Sequence, residues 1–599
     1  MTSGNSNPSG TGTVHRLRRW TASVPHRVLT ALQRTQAGLA VLAVAVGAGA
    51  GFGAIVFRWL IEGVTRVMTG HADYSSAGRA DNPLVPWLGP YFVLLAPVVA
   101  GLVYGPLVYR YAREARGHGV PEVMYAVARQ GGRIPPRVAV VKALASAVCI
   151  GGGGSVGREG PIVQIGSALG STAGVVVRMS EERLRTLVAC GAAGGIAATF
   201  NAPLAGVFFA MELILAEFTA RTFGMVALSS VTASVIGRAV LGDRPFLHMP
   251  PMQVHHLASY ALYVLLGLAA GVVGVVFTKV LYWIEDACDA VWRGPEWLRP
   301  AVGGVVLGLI LLALPQMYGV GYPVLEKAVI GGYGIVFLLV LLVGKIVASS
   351  VTIGIGGSGG VFAPSLFVGA MLGSAWGQLF GIWAPGVTGP AASYALIGMG
   401  AVFAGAARAP ITAVIITYEL SGDYGLILPL MVAVAVATGI SHALSRDTVY
   451  SAKLRRRGVD LERAGPPAIT VGEAMEPPPD SLPPDATLGE GVDRLRRTRR
   501  SSVPLVDAAG QYQGVVGAMA TTDALEAGTP LSCRLAELRN FPPAVQPGQE
   551  LREVLALFTE SDDGVLPVLD STRGHLVGWL SQRAALLALI PADGSPRQP

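Results

Sequence analysis

GREGPIVQIGSALGS, residues 157–171, places Arg158 and Glu159 side by side in a long apolar part of the chain. A second stretch, GVFAPSLFVGAMLGS at 360–374, resembles it at an offset of 203 residues. The matched pairs are Gly157 with Gly360, Pro161 with Pro364, Gly166 with Gly369, Leu169 with Leu372, Gly170 with Gly373 and Ser171 with Ser374. Glycine followed by proline is typical of a loop that runs into a helix, because glycine permits close backbone approach and proline fits the first turn. Both stretches therefore predict helix starts.

Composition indicates that these helices lie in a membrane. Hydrophobic residues make up 52% of the 599 residues and charged residues only 14%, whereas roughly a quarter of a soluble domain is charged. Apolar stretches of about 20 residues, enough to cross a bilayer, recur along the chain. Seventy-eight glycines and forty prolines favour broken helices that line a cavity inside the protein. The predicted fold class is an all-α polytopic membrane protein with broken helices, and a large soluble enzyme is excluded.

A second pair of motifs predicts two related halves. NAPLAGVFFAMEL at 201–213 lies over RAPITAVIITYEL at 408–420 at an offset of 207 residues, which matches Glu212 to Glu419. Two pairs in the same order indicate a duplicated membrane unit. If the duplication is inverted, as in many transporters, the two predicted helix starts meet near the membrane centre. Their unpaired N–H groups and positive dipole ends then form a site for an anion.

Charge at the ends of the membrane unit predicts its orientation. Residues 1–34 form a basic arm, and KLRRRG at 453–458 follows the last apolar segment at once. The arm lacks the short apolar core and cleavage site of a signal peptide. By the positive-inside rule both termini are cytoplasmic, in an integral protein of the plasma membrane. The net charge of +7 therefore indicates topology and contact with lipid headgroups, and not nucleic-acid binding.

Four motifs in order resemble the CLC family of chloride channels and proton-coupled chloride exchangers. They are GHGVP at 117–121, GREGP at 157–161, GGVFAP at 359–364 and Tyr450 in SRDTVYSAK. The match runs over roughly residues 35–455. The resemblance implies a homodimer with a separate anion pathway in each subunit.

The resemblance also implies which residues act on the anion. The main-chain N–H groups of Val361 and Phe362 and the hydroxyl of Tyr450 hold it, and the remaining candidates at the site are His118, Arg158 and Gly160. Lys142 stands where the family often has a lysine that raises the local positive potential.

Glu159 corresponds to the residue that gates the pathway in this family. An ionised carboxylate beside an anion path can occupy the site of the anion, because both compete for the same N–H donors. It withdraws when it is protonated or displaced. The predicted function is therefore pH-dependent transport of chloride or a similar monovalent anion.

His118 departs from the family pattern, which has a serine at this position or a proline in nitrate-preferring relatives. An imidazole can donate a hydrogen bond to the anion, and it carries charge below about pH 6.5. It can equally turn aside and bond to the backbone. We expect the ring to face the pathway and to affect which anion is preferred.

Leu213 is the second departure. Proton-coupled members often have an inner glutamate here, and an apolar side chain cannot relay protons. The sequence favours passive conduction on this ground, and the alternative is a proton-coupled anion antiporter whose proton route bypasses Leu213. Glu212 or Glu217 could take over proton transfer, although the match of Glu212 to Glu419 suggests a structural, helix-end role for both.

A soluble α/β region follows the membrane unit. VPLVD at 503–507 corresponds to LPVLD at 566–570, and GVVGAMATTDAL at 514–525 to HLVGWLSQRAAL at 575–586. The alternation of short β-like and helical runs resembles a pair of CBS modules, a frequent cytoplasmic appendage of the CLC family. The predicted segments are a membrane domain at 35–452, a linker at 453–468, modules at 469–526 and 532–590, and a tail at 591–599.

The CBS resemblance implies an adenine-nucleotide site, for which the sequence signal is weak. Such sites often use a serine or threonine three residues after a glycine and an aspartate six residues after it. Gly517 leads to Asp523 without the hydroxyl, and Gly578 leads to Ser581 without the aspartate. Asp523 and Ser581 are the candidate contacts, and packing or dimerisation of the modules is the alternative. No other cofactor is predicted.

Motifs for covalent catalysis or metal binding do not occur. There are no paired catalytic aspartates, no His-Glu metal motif and no serine nucleophile turn. The four cysteines have no metal-ligand spacing, and His255 and His256 are expected to lie in a solvated loop. We therefore predict a transporter and not an enzyme.

Overall fold

A computed structural model describes residues 26–242, 258–459, 469–570 and 574–589. Most of the predicted basic arm, the His255–His256 pair, residues 460–468 of the linker and the tail at 591–599 lie outside these ranges. The chain divides into two compact units, Met1–Leu461 and Glu462–Pro599. The segment boundaries predicted above stay predictions.

The described part of the first unit is helical. Its first half holds α1 His26–Arg34, α2 Gln36–Thr69, α3 Phe92–Tyr111, α4 Val120–Arg129, α5 Pro136–Gly151, α6 Glu159–Val177, α7 Glu181–Phe200, α8 Pro203–Phe209 and α9 Ala220–Leu241. The second half holds α10 Ser259–Val291, α11 Arg299–Ala313, α12 Tyr322–Val329, α13 Ile335–Gly354, α14 Phe362–Trp383, α15 Ala391–Ala407, α16 Pro410–Ser421, α17 Ile427–Leu444 and α18 Ser451–Arg456. In the described residues, eight helices are long and apolar enough to cross a membrane.

The duplication predicted from the motifs is present and involves more helices than the motifs did. The helices α2 to α9 correspond in order to α10 to α17, and a π-helical turn at Ala210–Leu215 continues α8. The predicted helix starts are confirmed, because α6 begins at Glu159 and α14 at Phe362. The short helices α4, α8, α12 and α16 are the broken segments that the glycine and proline content predicted.

Equivalent hydrogen bonds run in both directions between the two halves, as a two-fold arrangement requires. The Glu212 carboxylate, just beyond α8, accepts N–H bonds of 3.1 and 2.8 Å from the second and third residues of α16. The Glu419 carboxylate on α16 accepts N–H bonds of 3.0 and 2.7 Å from the second and third residues of α8. Each half therefore caps a helix of the other, which confirms the helix-end role predicted for both glutamates.

Glycine also serves close helix packing, at the same place in each half. A Cβ atom on Gly191 of α7 would lie 1.9 Å from the carbonyl oxygen of Gly166 on α6. A Cβ atom on Gly398 of α15 would lie 2.3 Å from the carbonyl oxygen of Gly369 on α14. These contacts bring backbone against backbone, as small residues do between membrane helices.

The second unit contains two related β-hairpins, each followed by a helix. Its elements are α19 Val471–Ala474, α20 Leu488–Thr498, β1 Ser502–Val506, β2 Tyr512–Gly517, α21 Ala518–Glu526, α22 Leu551–Val554, β3 Val565–Leu569, β4 Leu576–Ser581 and α23 Gln582–Leu589. Strand β1 pairs antiparallel with β2, and β3 with β4. Both first strands have a register shift at the same place, between Leu505 and Val506 and between Val568 and Leu569.

The strand register corrects one predicted correspondence between the modules. Leu505 pairs with Gly514 and Val568 pairs with Gly578, so Gly578 is the counterpart of Gly514. The sequence pattern alone matches Gly578 to Gly517, which lies three residues after Gly514. Two glycines three residues apart fit the pattern equally well, and only the pairing of the strands distinguishes them.

Candidate functional site

The two predicted helix starts meet. Gly157 donates to the carbonyl oxygen of Gly360 at 2.7 Å, and Gly360 donates to that of Gly157 at 2.6 Å. This short bridge is antiparallel, so equivalent residues of the two halves cross in opposite directions. Helices α6 and α14 begin two residues beyond these glycines. An inverted pair of helix N-termini therefore lies at a single buried place.

Glu159, the predicted gate, is buried between the halves with 1% of its surface exposed. One carboxylate oxygen accepts a hydrogen bond from the N–H of Ala363, in the first turn of α14, at 3.4 Å. The other oxygen accepts a hydrogen bond from the Tyr322 hydroxyl at the start of α12. The carboxylate of one half thus binds the helix N-terminus of the other, in the position where an N–H donor would meet an anion.

Val361 and Phe362, the predicted main-chain donors, begin α14. Val361 is the N-cap residue and Phe362 the first helical residue. The first N–H groups of a helix have no acceptor within that helix. The Phe362 ring lies 4.5 Å from the Phe403 ring and 5.7 Å from the Phe200 ring, centroid to centroid. The helix start is therefore held by packing, and its N–H groups are not held by their own helix.

Tyr450 and His118 contribute buried polar groups without partners. Each side chain is 1% exposed. In the described part of the chain, neither the Tyr450 hydroxyl nor either His118 ring nitrogen has a hydrogen-bond partner, so the ring does not make the predicted alternative bond to backbone. Buried polar groups are normally hydrogen-bonded. Both side chains are thus suited to donate to an anion.

Gly160 and Arg158 flank Glu159 and have different surroundings. A Cβ atom on Gly160 would lie 2.0 Å from the carbonyl oxygen of His118, so only glycine fits. The Arg158 guanidinium lies 4.9 Å above the centre of the Tyr322 ring and donates to the carbonyl oxygen of Thr199 at 3.3 Å. Arg158 and Tyr322 both line a cavity of about 380 Å³.

Lys142 has a counterpart that the sequence analysis missed, at the motif offset of 203 residues. Lys142 is fully buried and donates to the carbonyl oxygens of Ala115 and Gly117 at 2.9 and 2.8 Å. Lys345 is also fully buried, and it donates to the Ser155 hydroxyl and to the carbonyl oxygens of the Gly319–Val320 loop, at 3.0 to 3.1 Å. Each half therefore contributes one fully buried lysine side chain.

Leu213 lies in the π-helical turn and is 7% exposed. Glu212 beside it is bound to α16, and Glu217 is exposed. Neither acid therefore occupies the buried position that Leu213 fills.

A second cavity, of about 550 Å³, is lined by charged residues. Its lining consists of Arg113, Arg116, Tyr282, Glu285, Asp286, Asp289, Glu296, Arg299, Lys453, Arg456 and Arg457. The Lys453 ammonium lies 3.8 Å from the Glu285 carboxylate. It also lies 2.5 Å from the place of a Cβ atom on Gly117, the residue before His118. The sequence analysis treated Lys453 only as a topology signal.

The candidate nucleotide contacts lie on different kinds of element in the second unit. Asp523 is exposed on α21. Ser581 ends β4, and its hydroxyl accepts a hydrogen bond from the N–H of Ala584 at 3.1 Å, at the start of α23. In the corrected alignment the counterpart of Ser581 is Gly517. Nucleotide binding at these residues stays a prediction.

Two inverted halves whose broken helices start at one buried site are the architecture of many membrane transporters. A family model described as voltage gated chloride channel matches residues 100–442, more than half of the chain, and a CBS domain model matches residues 471–520. The chain therefore belongs to the voltage gated chloride channel family, the CLC family. The predicted family, fold class and CBS region are confirmed.

The alignments with curated relatives cover most of the length of each relative. The H(+)/Cl(-) exchange transporter ClcA of Vibrio parahaemolyticus is 34% identical over 426 residues, 69% of this chain and 89% of the relative. That of Vibrio cholerae is 35% identical over 379 residues, 62% of this chain and 80% of the relative. A putative chloride channel protein ClcB-like of Ralstonia nicotianae is 33% identical over 425 residues, 70% of this chain and 97% of the relative.

Solved structures give the same fold. A slow cyanobacterial Cl⁻/H⁺ antiporter matches with a TM-score of 0.63 and 26% identity, covering 71% of this chain and 99% of that one. A eukaryotic CLC transporter matches with a TM-score of 0.61 and 22% identity, covering 91% of this chain and 97% of that one. At this identity the match shows the fold alone. The chain is thus a membrane-spanning member of an anion-transport family. The expectation of passive conduction is not supported, because exchangers predominate among these relatives.

Proposed function

We propose that this chain exchanges protons for chloride or a similar monovalent anion. The observation that carries the proposal is the Glu159 carboxylate bound at the first turn of α14, the helix start of the opposite half. A carboxylate at that place competes with an anion for the same N–H donors while it is ionised, and it carries a proton when it leaves them. One group that does both ties the movement of the anion to that of the proton.

The anion in this proposal lies between the start of α14 and two buried side chains. The N–H groups of Val361 and Phe362 bind it from one side, and the Tyr450 hydroxyl and the His118 ring donate from the other. The buried Lys142 favours a negative charge at this place through its own charge. Chloride fits such a set of N–H and O–H donors.

Relatives named as exchangers support proton coupling, as does the slow cyanobacterial antiporter. The proton route then bypasses Leu213. The charged cavity lined by Lys453, whose ammonium lies beside Gly117, gives such a route a starting point. Passive conduction is the second candidate, because Leu213 cannot carry a proton and one relative is named a putative chloride channel.

We further infer a homodimer in the plasma membrane with both termini in the cytoplasm. The homodimer is carried over from the family resemblance. The orientation is supported by the cluster of Arg455, Arg456 and Arg457 at the end of α18, the helix after the last long apolar one, which the positive-inside rule assigns to the cytoplasm. The CBS pair then lies on the same side, where an adenine nucleotide at Asp523 and Ser581 would regulate transport.

The test is the reversal potential of the purified full-length protein in a planar bilayer, under a fixed chloride gradient with and without an opposing proton gradient. We expect the proton gradient to shift the reversal potential of the wild type. Glu159→Gln is expected to abolish that shift, because the amide cannot take up a proton. Glu62→Gln is the matched control, since Glu62 pairs with Arg58 at 2.8 Å on its own helix. A wild-type reversal potential that stays at the chloride equilibrium value would identify a passive channel.

A further inference from the structure

A tyrosine from outside the four family motifs contacts the gate. Tyr322 is the first residue of α12, and its hydroxyl donates to Glu159 across 163 residues of sequence. The stretch that contains it, GVGYP at 319–323, resembles GHGVP at 117–121 at an offset of 202 residues. The counterpart of Tyr322 in the first half is Val120. The duplicated scaffold therefore has this hydroxyl on one side only.

Neighbouring side chains fix the Tyr322 ring. The Arg158 guanidinium lies over one face, 4.9 Å from the ring centre. The Phe200 ring meets it edge to face, with the centroids 6.5 Å apart. Tyr322 is half-buried and lines the cavity of about 380 Å³. A ring held in this way keeps its hydroxyl aimed at the carboxylate.

We propose that Tyr322 is a latch on the gate, a positioning residue whose hydroxyl holds the ionised Glu159 carboxylate at the start of α14. The proposal rests on the gating role of Glu159 proposed above. A phenol hydroxyl donates well to a carboxylate, and charge-assisted bonds of this kind are stronger than neutral ones. Protonation of Glu159 removes that charge and weakens the bond. The hydroxyl therefore favours the ionised carboxylate in its bound position and opposes opening.

Other charged and titratable groups also act on Glu159, and they stay in place when the hydroxyl is removed. Those that interact with it electrostatically are Arg158 on its own loop, Lys345 on α13, and Tyr450 before α18. Tyr322→Phe leaves each of these groups in place and retains the ring beneath Arg158, and it also removes a hydrogen bond between the Tyr322 hydroxyl and Arg158. The difference between the two proteins thus reports the loss of the hydroxyl, with its bonds to Glu159 and to Arg158.

The experiment measures chloride efflux from liposomes against pH. A hydrogen bond to a charged group changes an equilibrium by about tenfold to a hundredfold, so Tyr322→Phe is expected to move the midpoint of acid activation up by about one to two pH units. The direction follows because the carboxylate without its donor takes up a proton at higher pH. Incorporating a ring-fluorinated tyrosine at position 322, a stronger donor of nearly the same shape, is expected to move the midpoint down. This second substitution keeps the test available if Tyr322→Phe folds poorly.

Tyr318→Phe is the matched control. Tyr318 is a buried tyrosine whose hydroxyl donates to the carbonyl oxygen of Gly151 at 2.7 Å, so its loss is expected to leave the midpoint unchanged. If Tyr322→Phe also leaves it unchanged while Glu159→Gln abolishes the pH dependence, the latch is refuted and the gate stands. If Glu159→Gln retains the wild-type pH dependence, the proposed gate itself fails. Tyr322→Phe combined with Glu159→Gln is expected to behave like Glu159→Gln alone.

Discussion

Glu212 allows a sharp test of structure against proton transfer, because it adjoins Leu213, the position of the inner acid in many exchangers. Its carboxylate accepts three hydrogen bonds from α16: the N–H of Ile411 at 3.1 Å, and the N–H and hydroxyl of Thr412 at 2.8 and 2.6 Å. All three donors belong to the other half of the membrane unit. We therefore expect Glu212→Gln to weaken the contact between the halves and to leave proton coupling intact.

The size of the effect follows from those bonds. An amide has one accepting oxygen and a donating NH2 group in place of the second oxygen, so at least one of the three donors loses its acceptor. A hydrogen bond to a charged group contributes about 1.5–3 kcal/mol, and a negative charge at a helix N-terminus about 0.3–1 kcal/mol. Part of the loss is recovered, because Glu212 is only partly buried and water can reach the site. The expected destabilisation is about 2 kcal/mol.

The other half provides the matched variant. Glu419 accepts two N–H bonds from α8, at 3.0 and 2.7 Å, and no hydroxyl bond from α8 accompanies them among the described residues. Glu419→Gln is therefore expected to destabilise the protein by a smaller amount, about 1.5 kcal/mol. Both energies are obtained from thermal unfolding of the purified full-length protein in detergent, and coupling from the reversal potential in a bilayer. A Glu212→Gln protein with wild-type thermal stability and lost coupling would refute the capping role and make Glu212 a proton carrier.

Two further predictions concern the anion site and the second unit. His118→Ser is expected to change the chloride-to-nitrate permeability ratio or the acid response, because it replaces an imidazole donor by a hydroxyl; identical bi-ionic reversal potentials and pH profiles would contradict this. In the turn after β1, hydrogen bonds from the N–H of Gln511 (2.9 Å) and the side chain of Gln513 (3.0 Å) lower the pKa of Asp507. The stabilisation that the Asp507 carboxylate gives to the folded turn is therefore present above the ordinary aspartate pKa. It is lost as pH falls through the lowered pKa. Asp507→Asn should accelerate amide exchange in this turn of the full-length protein at neutral pH; equal rates would count against it.

The sequence was most informative where a local pattern repeated. Glycine and proline predicted the starts of α6 and α14, and the paired offsets predicted the duplication, because both depend on residues close together in the chain. Lys345 could be predicted in the same way, since it lies 203 residues after Lys142, although it stands outside the paired motifs. The inversion itself needed the antiparallel bridge between Gly157 and Gly360.

Long-range contacts were beyond the reach of the sequence pattern. Nothing near Tyr322 indicates that its hydroxyl reaches Glu159, because the contact depends on how α12 packs against the start of α6. The three-residue slip in the second unit has a different cause. Gly514 and Gly517 are both followed by apolar residues, and only the pairing of β1 with β2 decides which of them matches Gly578.

The proposed mechanism depends on where the two-fold symmetry of the fold is broken. The counterpart of Glu159 at the start of α14 is Phe362, and the counterpart of Tyr322 is Val120. With a carboxylate at both helix starts, two negative charges would compete for one buried site, and like charges at short distance cannot both stay ionised. One carboxylate, bound by the opposite helix start and held by one hydroxyl, leaves a single group to move. In the proposed mechanism the symmetric residues, such as Lys142 and Lys345, supply the positive surroundings, and the unmatched residues supply the switch.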